Sequence, residues 1–448
     1  MGLLPVCFDG PLTYPHEFEE KVQGTLIEGS TYMLPSDLID VATQLSASGR
    51  QHAHTKLIGC LAQTQLFVHP QGAAQGPREA RGQSVGRWQA TVAELGRNMR
   101  TLAYEKHAIK CADRLIGNHH LAAERMSVYR VMAQWLLGAT TRPWIIIDWS
   151  DVELGHDYLM LKAAVPVGGR AVSIYEEVHP LKLYNNPKVH RRFLDRLSSV
   201  VPSTCRPIVI TDAGFRGPWF AAVEALGWDW IGRVRNEVKY CRDGVWLWKY
   251  TRSLYSRATH SPLYVGKCWL SAKSSYPCYL HLYKALKRGP GRPRRPTHPV
   301  PHHQRQRRHA REPWLLATSL TPHTWSARRV VRAYEKRMQI EETFRDLKSH
   351  RWGYGLQYAR SHSVQRLENL LLITTLATLA TWLVGLAAKA NDWMRHFQAN
   401  TESRKPVLSL FFLGRRVLRS LRFVPSKQDL ADAIAALPDI VYRSAQHA

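Results

Sequence analysis

Residues 142–153 read RPWIIIDWSDVE, and residues 206–215 read RPIVITDAGF. Each is a short apolar run that follows an Arg-Pro pair and ends at an aspartate, Asp148 in the first and Asp212 in the second. A compact apolar run bounded by turn formers predicts a strand buried on both faces. Between the two lie YLMLKAAVPVGGRAVSIYEEVHP (158–180), a hairpin turning at Gly168-Gly169, and KVHRRFLDRLSSVV (188–201), a helix. Beyond them, GPWFAAVEALG (217–227) predicts a second helix and WDWIGRVR (228–235) a further strand. In open α/β sheets, sites collect at the carboxyl ends of strands, where both aspartates fall. Asp151 and Glu153 are close competitors; Asp148 is preferred because it directly follows the apolar run.

Three strands in a meander, then helix, strand, helix and strand, predict an α/β fold with a ribonuclease H-like mixed sheet. The chain of 448 residues is long enough for several domains around a large core. Its 62 Lys and Arg against 35 Asp and Glu leave a formal net charge of +27. Such an excess points to a polyanion, either nucleic acid or an anionic membrane surface. Seven cysteines without a C-x-x-C pair predict reduced thiols in a cytoplasm, not a disulfide framework or a zinc site. The N-terminus shows no basic stretch followed by an apolar run, so no secretory signal is expected.

The stretch AYEKRMQIEETFRDLK (333–348) is a charged helix with an uneven distribution of charge. At ~100° per residue, Tyr334, Arg337, Glu341 and Lys348 share one narrow stripe, and Glu342 points away from it. Ile340, Phe344 and Leu347 form a separate apolar edge fit for packing on a core. Taken in isolation, the charges are read first as a solvated helix with i,i+4 ion pairs. Together with the strand ends, however, Glu341 completes a set of three carboxylates, Asp148, Asp212 and Glu341. Hard oxygen donors of this kind suit Mg²⁺, and a pair of ions so held can drive phosphodiester chemistry. Arg337, Lys348 and the Tyr334 hydroxyl would then contact phosphates beside the scissile bond.

Outside this core the sequence divides as follows. Residues 1–85 form a poorly readable extension that ends in the linker-like QGAAQGPREARGQS (71–84). Residues 86–140 predict short basic helices broken at Gly117-Asn118, either a DNA-binding module or a plain helical bundle. The catalytic domain is expected over 141–361, interrupted at about 236–312 by a β-rich basic insertion. Within it, residues 284–311 hold ten Lys and Arg and no acid, a run attracted to phosphates and unable to form a core. Its four histidines lack the spacing of a metal site. Residues 362–448 are expected to be a helical region for packing or dimerisation. There NLLLITTLATLATWLVGLAA (369–388) is just long enough to span a bilayer. Its four threonines and soluble flanks favour a helix buried in a bundle, with no membrane partner.

The spacing Tyr334-x₂-Arg337-x₃-Glu341-x₆-Lys348 resembles the Tyr-Arg-Glu-Lys signature of cut-and-paste DDE transposases in the Insertion Sequence Four family. AELGRN, DRLIGNHHL, AERMSVYR, IDWSD, DAGF, KRMQIEETFRDLKS and HFQANT are also similar to that family, from about Trp88 to the 430s. The resemblance implies a ribonuclease H-like core, inverted-repeat recognition by the N-terminal helices, and Asp148, Asp212 and Glu341 as the metal-binding triad. It implies Mg²⁺, with Mn²⁺ as a substitute, in two sites. Its partners would be double-stranded DNA, both repeat ends and target, and a second copy when the ends are paired. It also implies a hairpin intermediate, for which Trp149 and Met338 are base-stacking candidates, with core packing as their alternative. The first 85 residues do not share the resemblance. A ribonuclease or junction resolvase on the same fold would lack the Tyr-to-Lys stripe, and a non-catalytic regulator would be expected to lose a carboxylate.

Overall fold

The computed structural model describes residues 90–446 except 98–103, 139, 154, 156, 236–237, 246, 286–311, 351–352, 400–406 and 421. The extension over 1–85 and most of the basic run 284–311 therefore lie outside the described residues. Among the described residues three helices come first: α1 (Val92–Arg97), α2 (Glu105–Gly117) and α3 (His119–Leu137). The break between α2 and α3 is at Asn118, whose Oδ1 accepts from the amides of His120 and Leu121. A side-chain oxygen at an N-cap satisfies donors that the new helix cannot.

The meander follows as β1 (Trp144–Asp151), β2 (Tyr158–Pro166) and β3 (Ala171–Pro180). Gly168 and Gly169 turn the second hairpin with φ of 87° and 88°, a region that L side chains resist. Next come α4 (Pro187–Val200), β4 (Ile208–Thr211), α5 (Gly217–Ala225) and β5 (Asp229–Val234). β1, β4 and β5 run parallel, and β2 and β3 extend the sheet antiparallel on the other side of β1. This is the order of elements that the two apolar runs predict. One boundary differs: β1 continues three residues past Asp148, because Trp149, Ser150 and Asp151 keep their pairing with β2.

The insertion contributes β6 (Lys239–Arg242), β7 (Lys249–Tyr250), β8 (Leu263–Leu270) and β9 (Tyr276–Tyr283). The chain returns through β10 (Trp314–Thr318), which pairs with β5 on one side and β9 on the other. The insertion is thus continuous with the core sheet, ten strands in the order β3-β2-β1-β4-β5-β10-β9-β8-β6-β7.

After β10 come α6 (Ala327–Glu335) and α7 (Met338–Lys348). The charged stretch 333–348 is therefore two helices with a turn at Lys336-Arg337, although both turn residues keep right-handed helical backbone. Ile340 and Leu347 are fully buried and Phe344 nearly so, which turns the apolar edge of α7 onto β1, β2 and β3. Burial of each such side chain contributes about 1.5–3 kcal/mol. The apolar stretch lies in α8 (Val364–Ala390) and is 89% buried over its most apolar window. It packs on β3, α2 and α3, and on two of the final helices, α9 (Met394–Phe397), α10 (Leu410–Val417), α11 (Lys427–Ala435) and α12 (Leu437–Gln446). Those two are α10 and α11. At the crossing of α8 and α10, Gly385 and Gly414 meet: a Cβ on Gly385 would stand 1.9 Å from the Leu410 carbonyl oxygen.

Candidate active site

Parallel pairing sets Ile147 of β1 opposite Thr211 of β4. Asp148 and Asp212 each follow the paired residue directly, so the register alone brings the two carboxylates side by side. Asp212 sits in a tight turn, its Oδ1 accepting from the Gly214 amide at 2.8 Å. A Cβ on Gly214 would stand 3.0 Å from that same oxygen, which is why the turn takes glycine. α7 lies across the strand ends and supplies Glu341.

Arg337, in the turn before α7, occupies the space between the acids. Its Nη1 donates to Asp148 Oδ2 at 2.6 Å, and its Nη2 is ion-paired with Glu341. Asp148 and Arg337 are both nearly buried, 12% and 14% exposed, while Glu341 is open at 42%. Burial pushes the Asp148 carboxyl up to about 7; Arg337 works against that rise, and the charges of Asp212 and Glu341 add to it. The three acids therefore sense one another, with Arg337 as the cation among them. Lys348 lies at the far end of α7, its Nζ 3.9 Å from Asp151 Oδ2, and burial lowers its pKa.

Tyr334 is placed differently from an open phosphate contact. It is 3% exposed, with its ring edge-on to Trp314 at 5.2 Å between centroids. Its hydroxyl lies in the field of Arg337, Arg233 and Asp212. Met338 is 48% exposed at the start of α7. Trp149 is half-buried and held by its neighbours: its indole N–H donates to His190 Nε2 at 3.1 Å, and the rings of His179 and Tyr184 meet it edge-on at 5.7 Å.

Beneath the acids, a row of paired residues crosses the sheet from Asp148 to Lys162 to Glu176. Lys162 is wholly buried, bonded to Glu176 at 3.0 Å and to Ser173 at 2.9 Å, and Thr375 of α8 closes the row on Glu176. Sequence patterns gave no sign of this buried pair, because its partners come from three separate elements.

Beside the Asp212 turn opens a cleft of about 600 Å³ between α5 and the insertion. Among the described residues, Arg216, Arg233, Arg235, Lys239 and Lys273 line it, and no carboxylate does. A second feature missed in the sequence is the Tyr184-Asn185-Asn186 loop that leads into α4. The signal was present in Asn-Asn-Pro: one Asn for a left-handed residue, one for an N-cap, and Pro for the first helical turn. Asn185 has φ of 54°, and Asn186 Oδ1 accepts from the Lys188 amide at 2.9 Å.

Residues 140–379, more than half of the chain, match the family described as Transposase DDE domain. The chain is a DDE transposase. It is accordingly an enzyme that cleaves and joins DNA strands with the help of divalent metal ions. No curated protein matches it.

The side chains of the transposase can be tested for a fit to those ions. Asp148, Asp212 and Glu341 offer only carboxylate oxygens, the donors that hard divalent cations take. The suppressed acidity of Asp148 comes first from its burial, with the charges of Asp212 and Glu341 adding to it and Arg337 offsetting it. Among the described residues no three acidic, His or Cys side chains converge tightly enough to ligate an ion as they stand, since Glu341 is turned onto Arg337. The donor set fits; the Glu341 side chain has to leave the guanidinium to complete it.

Proposed function

We propose that this transposase moves its own insertion sequence by a cut-and-paste route, as a member of the Insertion Sequence Four family and similar to the transposase of insertion sequence ten. The observation that carries this reading is the placement of Asp148 and Asp212 directly after the last parallel pair of β1 and β4, with the charge of Glu341 on α7 felt at Asp148. These three residues would hold two divalent ions, Mg²⁺ or Mn²⁺. When bound, the ions would activate a water or 3′-hydroxyl and take up charge on the leaving oxygen.

The chain's own residues supply the rest. Arg337, released from the acids, holds a phosphate beside the scissile bond, and Lys348 a second one. Tyr334, buried with its ring against Trp314, would steady the turn that carries Arg337 and would not itself touch a phosphate. The basic cleft beside Asp212 carries the strand leaving the site. Of the two stacking candidates we assign the wedge role to Met338, which is exposed, and a packing role to Trp149, which is half-buried and held by its neighbours. The helices before the sheet would grip the inverted repeats, and the C-terminal helices would support pairing of two copies on DNA. After the first nick, the freed 3′-hydroxyl would attack the opposite strand to close a hairpin, which is reopened before joining to target DNA. The enzyme would work in the cytoplasm on the nucleoid.

A non-catalytic regulator is disfavoured, because all three acids are present and brought to one place. The test is cleavage of a labelled duplex ending in the element's own repeat, with Mg²⁺ and with EDTA. Metal-dependent nicking at the repeat end, lost in Glu341→Ala while binding is kept, is expected. Equal binding by both proteins with no cleavage by either would sink the reading.

A further inference from the structure

The Tyr184-Asn185-Asn186 loop stands against the Asp212 turn. Asn185 Oδ1 lies 3.3 Å, and Asp212 Oδ1 3.0 Å, from the point that a Gly214 Cβ would occupy, so carboxylate and amide flank one spot. The Asn185 oxygen is buried and accepts no hydrogen bond from any described residue. A buried acceptor without a donor is unfavourable, and native structures rarely leave one without reason. Asp212 cannot supply the missing donor, because a carboxylate only accepts. The amide is also held in place. Asn186 caps α4, Asn185 itself sits in the left-handed region, and the Tyr184 hydroxyl lies near the Asn185 side chain while its ring leans edge-on against Trp149.

We propose that Asn185 is a further catalytic residue of the transposase, its Oδ1 accepting a hydrogen from the attacking water, or later from the attacking 3′-hydroxyl, beside Asp212. This rests on the assignment of Asp148, Asp212 and Glu341 made above. In the first nick the water oxygen forms a bond to phosphorus as the bond from phosphorus to the 3′-oxygen breaks. The leaving 3′-oxygen takes a proton from solvent, and the water gives one up to solvent. Asn185 takes no proton. It fixes the direction of a lone pair, and misdirection of an attacking atom by about 1 Å can slow a reaction about a hundredfold. Tyr184 is the positioning residue that holds the amide.

The decisive variant is Asn185→Gly, because glycine keeps the positive φ while deleting the side chain that carries the amide. Full-length wild type, Asn185→Gly, Tyr184→Phe and Asp212→Asn are compared on the labelled repeat-end duplex with Mg²⁺, with glycerol present to compete with water. Binding in EDTA and melting temperature are measured in parallel. Asn185→Gly is expected to nick about ten- to a hundredfold more slowly, with binding and melting temperature unchanged and a smaller share of hydrolysis relative to glycerolysis. Tyr184→Phe is expected to show a weaker shift of the same kind. Wild-type nicking and product ratio in Asn185→Gly would overturn the proposal and leave the amide to an ordered water. Loss of binding or of melting temperature in step with the rate would make the role structural and overturn it as well. If wild type and Asp212→Asn are equally inert, the triad assignment itself fails, and this inference falls with it.

Discussion

Arg337 holds Asp148 through a 2.6 Å hydrogen bond, and the same guanidinium is ion-paired with Glu341. The residue expected to grip DNA is therefore the cation that keeps the acids together in its absence. Its replacement by alanine leaves Asp148 nearly buried and unpaired. Breaking such a pair costs about 3 kcal/mol, but only while the carboxyl is charged. Arg337→Ala should therefore be clearly less stable at pH 8 and much closer to wild type at pH 6, read by urea unfolding. Equal destabilisation at both values would mean that the pair matters for packing alone.

On its proposed role as an ion ligand, Asp148 would tie ion binding to pH. Its carboxyl is pushed up to about 7 by burial, from an ordinary value near 4, so the folded protein keeps a proton there that the unfolded chain releases. That contribution to stability is present below the unfolded value and is lost as pH rises through about 7. A bound divalent ion must displace the same proton. Mn²⁺ titration calorimetry should show affinity falling by up to about tenfold per pH unit below 7, with proton release. A flat affinity between pH 6 and 8 would contradict it.

His190 behaves in the opposite sense. Burial lowers its pKa to about 4, so near neutral pH it is uncharged and its Nε2 is free to accept from the Trp149 indole. The folded value lies below the unfolded one, so this contribution is full above about 6.5 and is lost as pH falls toward 4. Trp149→Phe keeps the ring but not the N–H. It should lower stability by about 1 kcal/mol, leave hairpin formation intact, and flatten the acid limb of a pH–stability curve. Loss of hairpins with unchanged nicking would return a stacking role to Trp149.

Lys348 is expected to contribute as a point charge. Lys348→Ala should weaken repeat-end binding and reduce the slope of log affinity against log salt by about 1. An unchanged slope would place its ammonium away from any phosphate.

The crossing of α8 and α10 tolerates no side chain at Gly385, where a Cβ would lie 1.9 Å from the Leu410 carbonyl oxygen. Gly385→Leu should force the helices apart and destabilise by at least 1–3 kcal/mol, roughly the range for overpacked cores. Thermal denaturation checks this, and a variant as stable as wild type would show that the helices can separate without penalty.

The parts of this fold that depend on local pattern were legible. The runs before Asp148 and Asp212, the Gly168-Gly169 turn and the apolar edge of α7 all follow from periodicity and turn chemistry. Partners far apart in sequence were not. Nothing local marks β10 as the strand that joins core to insertion, or sets Lys162 beneath Asp148. The turn at Lys336-Arg337 carries no Gly or Pro, and its backbone stays helical, so a single helix was the natural reading. The three carboxylates could be singled out because strand ends and a helix stripe both have a signature. Asn185 escaped because one asparagine in a turn has many uses, and only the folded chain shows its oxygen facing Asp212 without a donor.

α8 fastens two parts of the molecule to one beam. Near its start, Asn369 donates to the carbonyls of Ile116 and Asn118 between α2 and α3, and Glu368 pairs with Arg125 of α3. Further along, Thr375 reaches Glu176, two strands from Asp148. The leading helices therefore cannot slide relative to the acids without breaking buried bonds. A duplex gripped by those helices would arrive at the carboxylates with a preset offset. On the proposed role of those helices, the protein would work as a gauge, with the position of the cut measured in ångströms from the grip and no need to read the bases at the cut.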